Sequence, residues 1–325
     1  MKRASPAIPA QAGVLRPLKG VRILSLSLNL PGPAALMRCL AMGATCVKLE
    51  PLPPSAGVTA DPMARYSELA YASLHKGIKV LQADLKTEQG QKVLHRELAK
   101  AQVLITSFRP SALTRLNLSW KQLHQQYPAL SQIAIVGSPG TGAEEAGHDL
   151  TYQAQAGLIT DLALPPTLYA DMGGALLASE AVLQAVLAQK TKGKGVRLEV
   201  ALSEAAHWAA LPRTWGLIHG QTALGGAHAG YQVYACLDGR LALAALEPHF
   251  ARRLAQVVGL PLKADHDAEV MASMLNPATR KHLQGYFKRM TRSQLEALAA
   301  ERDIPMHTMG PTTALTSNLR GKKAG

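Results

Sequence analysis

Residues 21–50 read VRILSLSLNLPGPAALMRCLAMGATCVKLE. VRILSLS is an apolar run of strand length. Pro33 then stands near a helix start and Gly43 near its end, where a fixed φ and a free backbone suit the two ends of a helix. ATCVKLE returns as a second apolar strand, so the stretch spells one β-α-β unit. Working outward, the alternation continues with a helix near 64–73, a strand in IKVLQADL, a helix from Thr87 to Lys100 and the strand QVLITS. A helix over about 120–127 and the strand SQIAIVG follow. Strands alternating with helices predict an α/β fold with a mostly parallel, doubly wound sheet. The first turn, LNLPGPAA, lacks the GxGxxG fingerprint of dinucleotide binding.

Beyond Gly147 the texture becomes mainly helical, with apolar helices expected near 150–160, 171–189 and 203–218 and a strand in VRLEVAL. GGAHAGYQVYACLDGRLALAALEPHF then predicts two strands joined by an LDG turn and followed by a helix. The expected organisation is a basic, disordered extension over 1–20, a large domain over 21–200, a linker helix over 201–224 and a small α+β domain over 225–300. Residues 301–325 hold a strand in DIPMHTM, expected to return to the first sheet, and a basic tail.

With 325 residues, 47% of them hydrophobic, the chain can bury a sizeable core. Thirty-five Lys and Arg against 22 Asp and Glu give a net charge of +13, which raises the question of a polyanionic partner. Aromatic residues make up only 4% and the basic residues are dispersed, so the stacking platforms of a nucleic-acid binder are missing and a phosphorylated small molecule is the better expectation. The most apolar segment, LYADMGGALLASEAVLQAVLAQ, is interrupted by Asp171 and Glu180, so no membrane partner is expected. Cys39, Cys46 and Cys236 show no CxxC spacing and no HExxH is present, which predicts a reducing, cytoplasmic setting and no metal.

Three places combine ionisable side chains with helix starts. In AGHDLTYQAQAG, Asp149 suits a cap on the helix it opens, and His148 beside it is either a packed imidazole or half of an acid/base pair. In ADMGGALLASE, Asp171 also suits an N-cap, a position that stabilises an ionised carboxylate. Glu247-Pro248 in LEPHF has the composition of a first helical turn.

Six stretches occur in an order that resembles the class III coenzyme A transferase superfamily, over about residues 18–310. They are LKGVRILSLSLNLPGPAALMRCLAMGATCVKLE, HKGIKVLQADLKTEQGQKVL, FRPSAL, GHDLTYQAQAGL, ADMGGALLASEAVLQAVLAQKTKGKG and CLDGRLALAALEPHF. The resemblance implies a Rossmann-like large domain, a smaller α+β domain and an interlocked homodimer with an acyl-CoA substrate. Coenzyme A enters as part of that substrate and no further cofactor is implied. Asp171 matches the superfamily's active-site aspartate, which serves as a nucleophile in its transferases and as an acid/base in its 2-methylacyl-CoA racemases. GHD resembles the racemase branch, where His148 would be the second acid/base and Glu247 would steady it. Arg109, Lys76 and Lys79 fall where the family holds the CoA phosphates, and Asn29 and Gly32 where its first loop lines the pantetheine path. Backbone amides at the start of Asp171's helix would stabilise the enolate oxygen. The sequence departs from the family at Pro51, where a basic residue is usual, and at His75, where asparagine is usual. The resemblance therefore implies a 2-methylacyl-CoA racemase, with a CoA transferase or a non-catalytic CoA-binding homologue as the alternatives.

Overall fold

Six strands carry the first half of the chain: β1 (Arg22–Ser25), β2 (Thr45–Glu50), β3 (Lys79–Gln82), β4 (Val103–Thr106), β5 (Ser131–Val136) and β6 (Arg197–Ala201). They form one parallel sheet in the order β3-β2-β1-β4-β5-β6. The computed structural model describes residues 15–53, 55, 59–261 and 266–311. Most of the expected basic N-terminal extension and nearly all of the basic C-terminal tail lie outside these residues.

The period-two pattern of the strands explains why the sheet is covered on both faces. Ile23, Cys46, Val103, Ile105, Ile133 and Ile135 face one core, built with the helices Pro31–Ala41 and Tyr169–Lys192. Leu24, Val47, Leu49 and Leu104 face the other, completed by Leu94, Leu98, Leu113, Leu118 and Leu123. Tyr169–Lys192 is long and apolar enough to cross a membrane by length and composition. Here it is a core helix whose Ala175, Ala178, Val182 and Ala185 are buried in the first of these cores. Small side chains at that spacing let the helix approach closely: a Cβ on Gly174 would meet Leu202 Cδ2 at 2.2 Å.

The expected single helix near 64–73 is two helices, Pro62–Tyr66 and Glu68–Leu74. Ser67 separates them in an extended conformation (φ −164°, ψ 109°), and its hydroxyl caps the second helix by accepting from the Ala70 amide at 3.1 Å. A cap of this kind contributes about 1 kcal/mol to the second helix.

The chain divides into two compact units, residues 1–210 and 211–325, with the division inside the helix Leu202–Thr214. The second unit contains the expected hairpin, β7 (Tyr231–Cys236) and β8 (Gly239–Ala244). DIPMHTM does not return to the first sheet. Its strand β9 (Met306–Met309) pairs antiparallel with β8, making a three-stranded sheet β7-β8-β9. Leu241 and Leu243 of β8 point into a core shared with Leu254, Met274, Leu283, Phe287 and Leu295 from four helices, and that core lies beside the hairpin.

Candidate active site

In the order β3-β2-β1-β4-β5-β6 the chain reverses direction across the sheet between β1 and β4, and a crevice opens beyond the carboxyl ends of such strands. A cleft of about 420 Å³ lies there. Its walls come from the loops after β1 (Leu28 to Pro31) and β4 (Ser107 to Arg109), from the end of β5 and the residue after it (Val136, Gly137), and from the two helix starts at His148-Asp149 and Asp171.

Asp149 does more in this cleft than the sequence suggests. It is the first residue of the helix Asp149–Gln155, with His148 at the N-cap. Its carboxylate does not cap that helix; instead it caps the next one, accepting from the Asp171 amide at 3.0 Å and from the Gln153 side chain. Asp171 is correspondingly the third residue of Tyr169–Lys192 and not its N-cap, which is Leu168. Burial pushes the Asp171 carboxyl from its ordinary 3.8 to about 7, and the neighbouring Asp149 carboxylate adds to the rise. A carboxyl so placed can hold or release a proton near neutrality, as a general acid or base requires. At the start of this helix the Asp171 amide is committed to Asp149 and the Met172 amide to the Leu168 carbonyl at 3.0 Å. Neither is free for an enolate oxygen.

His148 is exposed and lines the same cleft. Thr151 fixes its backbone: the Thr151 hydroxyl accepts from the His148 amide at 3.1 Å and donates to the His148 carbonyl at 2.8 Å. The imidazole is thus presented from a helix N-terminus. Arg109, also exposed, is the N-cap of Pro110–Arg115 and forms no ion pair among the described residues. Its guanidinium is available to an anion at the mouth of the cleft.

Asn29 lines the cleft in a left-handed conformation (φ 63°), which asparagine tolerates better than most residues. Its side-chain Oδ1 is buried without a hydrogen-bond partner among the described residues. Gly32 lies just beyond the cleft lining, in the first turn of Pro31–Ala41, and its close approach is to Ser27: a Cβ there would sit 2.1 Å from Ser27 Cβ. Lys76 and Lys79 are exposed and do not line the cleft; Lys79 opens the edge strand β3. Glu247 lies in the second unit, as the exposed N-cap of Pro248–Val258, where it makes no side-chain capping bond.

Sequence reasoning passed over the cluster that supports the Asn29 loop. Lys48 is fully buried, and its three ammonium hydrogens have three acceptors: Glu50 Oε1 at 2.8 Å, Asp61 Oδ2, and His75 Nε2 at 2.9 Å. His75 Nδ1 lies 2.7 Å from the Tyr71 carbonyl, which can only accept. The proton therefore sits on Nδ1 and Nε2 is left to accept from Lys48. Burial and the Lys48 charge push the His75 imidazole below its ordinary value, in keeping with this neutral tautomer. Glu50, Asp61 and His75 have the donor atoms of a metal site, all within 4.8 Å of one another, but the ammonium already takes their lone pairs. The other Asp61 oxygen accepts from the Asn29 amide at 3.0 Å and the Met63 amide at 2.9 Å, so the cluster anchors the cleft's first loop. Lys48 and Glu50 stand on one face of an inner strand of a sheet covered on both sides, and that was the available signal, since charges there require partners.

A family model for CoA-transferase family III matches residues 18–318. The chain belongs to CoA-transferase family III. Within the family it is 29% identical to the alpha-methylacyl-CoA racemase of Mus musculus over 295 residues, covering 85% of this chain and 73% of the relative. It is 27% identical to the succinate–glutarate CoA-transferase of Agrobacterium fabrum, covering 77% of this chain and 68% of the relative. The crystal structure of a hypothetical protein from Mycobacterium tuberculosis superposes with a TM-score of 0.73 at 23% identity, covering 89% of this chain and 83% of that one. A CAIB/BAIF family protein from Brucella suis does so with a TM-score of 0.70 at 22% identity, covering 91% and 84%. These two structures establish the shared fold. The family-III relatives are racemases and CoA-transferases, and this chain is an enzyme of the same family.

Proposed function

We propose that the protein racemises a 2-methylacyl-CoA thioester by 1,1-proton transfer at the α-carbon. The observation that carries this reading is the placement of His148 in one cleft with an Asp171 carboxyl raised to about 7. Inversion through a planar enolate needs an acceptor on one face and a donor on the other, each able to exchange its proton near neutral pH. An imidazole can take a proton on one ring nitrogen and return it, and burial brings the Asp171 carboxyl to about 7. Only a proton moves, so the reaction needs no cofactor beyond the CoA of the substrate. Arg109 would hold CoA phosphate, while Lys76 and Lys79, away from the cleft, are left out of this assignment. The similarity to alpha-methylacyl-CoA racemases supports the same choice.

The alternative within the family is acyl transfer, with Asp171 attacking the thioester to form a mixed anhydride. One experiment separates the two: incubation with a 2-methylacyl-CoA in heavy water without an acceptor acid. Racemisation puts deuterium at the α-carbon of both enantiomers, and His148→Ala abolishes it. No α-deuterium, together with CoA moving to an added carboxylate, would reverse the assignment. A homodimer is part of the proposal, supported by large exposed apolar side chains such as Leu162, Leu164 and Trp208. Sedimentation equilibrium tests it, and a monomer at micromolar concentration would exclude it.

A further inference from the structure

Tyr152 is 5% exposed and lines the cleft, yet its hydroxyl has no hydrogen-bond partner among the described residues. Two glycines make the space for it. A Cβ on Gly137, directly after β5, would lie 2.1 Å from the hydroxyl oxygen, and one on Gly147, directly before His148, would lie 2.5 Å from it. A phenol held this tightly, with its hydroxyl in reach of the cleft and not sealed in the core, is placed to donate to a ligand there.

The cleft needs such a donor. Abstraction of the α-proton breaks the C–H bond, forms a Cα=C bond and moves the carbonyl π pair onto the thioester oxygen, which becomes an enolate. That oxygen requires donors fixed in place before the reaction. The Asp171 and Met172 amides are both occupied. Arg109 is exposed, as suits a phosphate. Tyr152 places a donor in this cleft, on a ring held between two glycines one helical turn beyond His148.

Resting on the racemase reading, we propose that Tyr152 donates the hydrogen bond that holds the thioester oxygen as it becomes an enolate. The phenol keeps its proton throughout, and the enolate collapses when the opposite acid reprotonates the α-carbon. Burial pushes the Tyr152 phenol above its ordinary value and the Asp171 carboxylate adds to this, with Arg109 opposing, so the hydroxyl stays protonated and able to donate.

The test is Tyr152→Phe, which keeps the ring between the two glycines. In the heavy-water assay kcat for α-deuterium incorporation should fall on the order of 100-fold, the loss typical of one oxyanion donor, while KM stays nearly constant. A purely structural tyrosine would not give this split between kcat and KM. Should the phenylalanine variant fail to fold, 3-fluorotyrosine at position 152 preserves the shape and makes the phenol more acidic. The alkaline limb of the rate profile should then move to lower pH. Wild-type exchange with an unchanged kcat in Tyr152→Phe, or a profile indifferent to phenol acidity, overturns the Tyr152 assignment alone. Absence of exchange in the wild type overturns the racemase reading and this proposal with it.

Discussion

Replacing Asp171 with asparagine should make the protein more stable at alkaline pH while abolishing activity. The folded-state value of about 7 lies above the ordinary 3.8, so the fold favours the neutral carboxyl. The sign follows directly: between the two values the native state binds more protons than the unfolded chain, and stability falls as pH rises. The contribution is fully present below about 3.8 and is lost as pH passes through about 7. At about 1.36 kcal/mol per pH unit, the whole difference is roughly 4 kcal/mol, which water entering the cleft trims to about 2–4. The Asp171→Asn side chain carries no charge at any pH and keeps the shape of the original. Urea denaturation of the two proteins at pH 5 and pH 8, followed by tryptophan fluorescence, should therefore show the variant's advantage growing by about 2–3 kcal/mol. A difference between the two proteins that is the same at both pH values would refute the reasoning, because it would mean that Asp171 ionises as easily in the fold as in the unfolded chain.

Three further perturbations probe the neighbouring features. Lys48→Met leaves the Glu50 and Asp61 carboxylates buried without their cation and should destabilise the first unit by about 3–5 kcal/mol, read as a drop in its melting temperature; adding Glu50→Gln and Asp61→Asn should recover much of the loss. Asp149→Asn keeps an oxygen for the Asp171 amide but removes the charge beside Asp171, so the inflection that Asp171 gives the pH–rate profile should move below about 7, by kinetics across pH 5–9. Gly147→Ala places a Cβ 2.5 Å from the Tyr152 hydroxyl, and the displaced ring should cost about 1–3 kcal/mol of stability together with most of the exchange activity.

The parallel sheet was readable because its evidence is local: each strand is a short apolar run, and each helix between them has its own start and stop. Which strand pairs with which is not local information. DIPMHTM is recognisable as a strand, but four paired residues of mixed polarity do not name a partner, and the hairpin β7-β8 offered a free edge that the sequence did not advertise. Asp149 was misread for a similar reason. A carboxyl at a helix start is expected to cap that helix, whereas its acceptor oxygen serves an amide 22 residues later. Lys48, Glu50, Asp61 and His75 are spread over 28 positions with no motif spacing, and only their common burial makes them a unit. The residues His148, Asp171, Arg109 and Asn29 were found by resemblance and do line one cleft, while Tyr152, in the same quoted stretch as His148, was not singled out.

Asp149 links these features. One of its oxygens holds the Asp171 amide, a cap worth about 1 kcal/mol that fixes where the helix Tyr169–Lys192 begins and hence where the Asp171 side chain stands. The charge that makes it a good cap also adds to the rise that burial gives the Asp171 carboxyl. Occupying the Asp171 amide has a third effect, since that backbone donor is no longer open to a reacting oxygen. A helix start arranged only for stability would place a neutral cap, such as serine, at position 149. An aspartate there adds its charge to the burial that raises the Asp171 carboxyl, and so favours the protonated form near neutral pH.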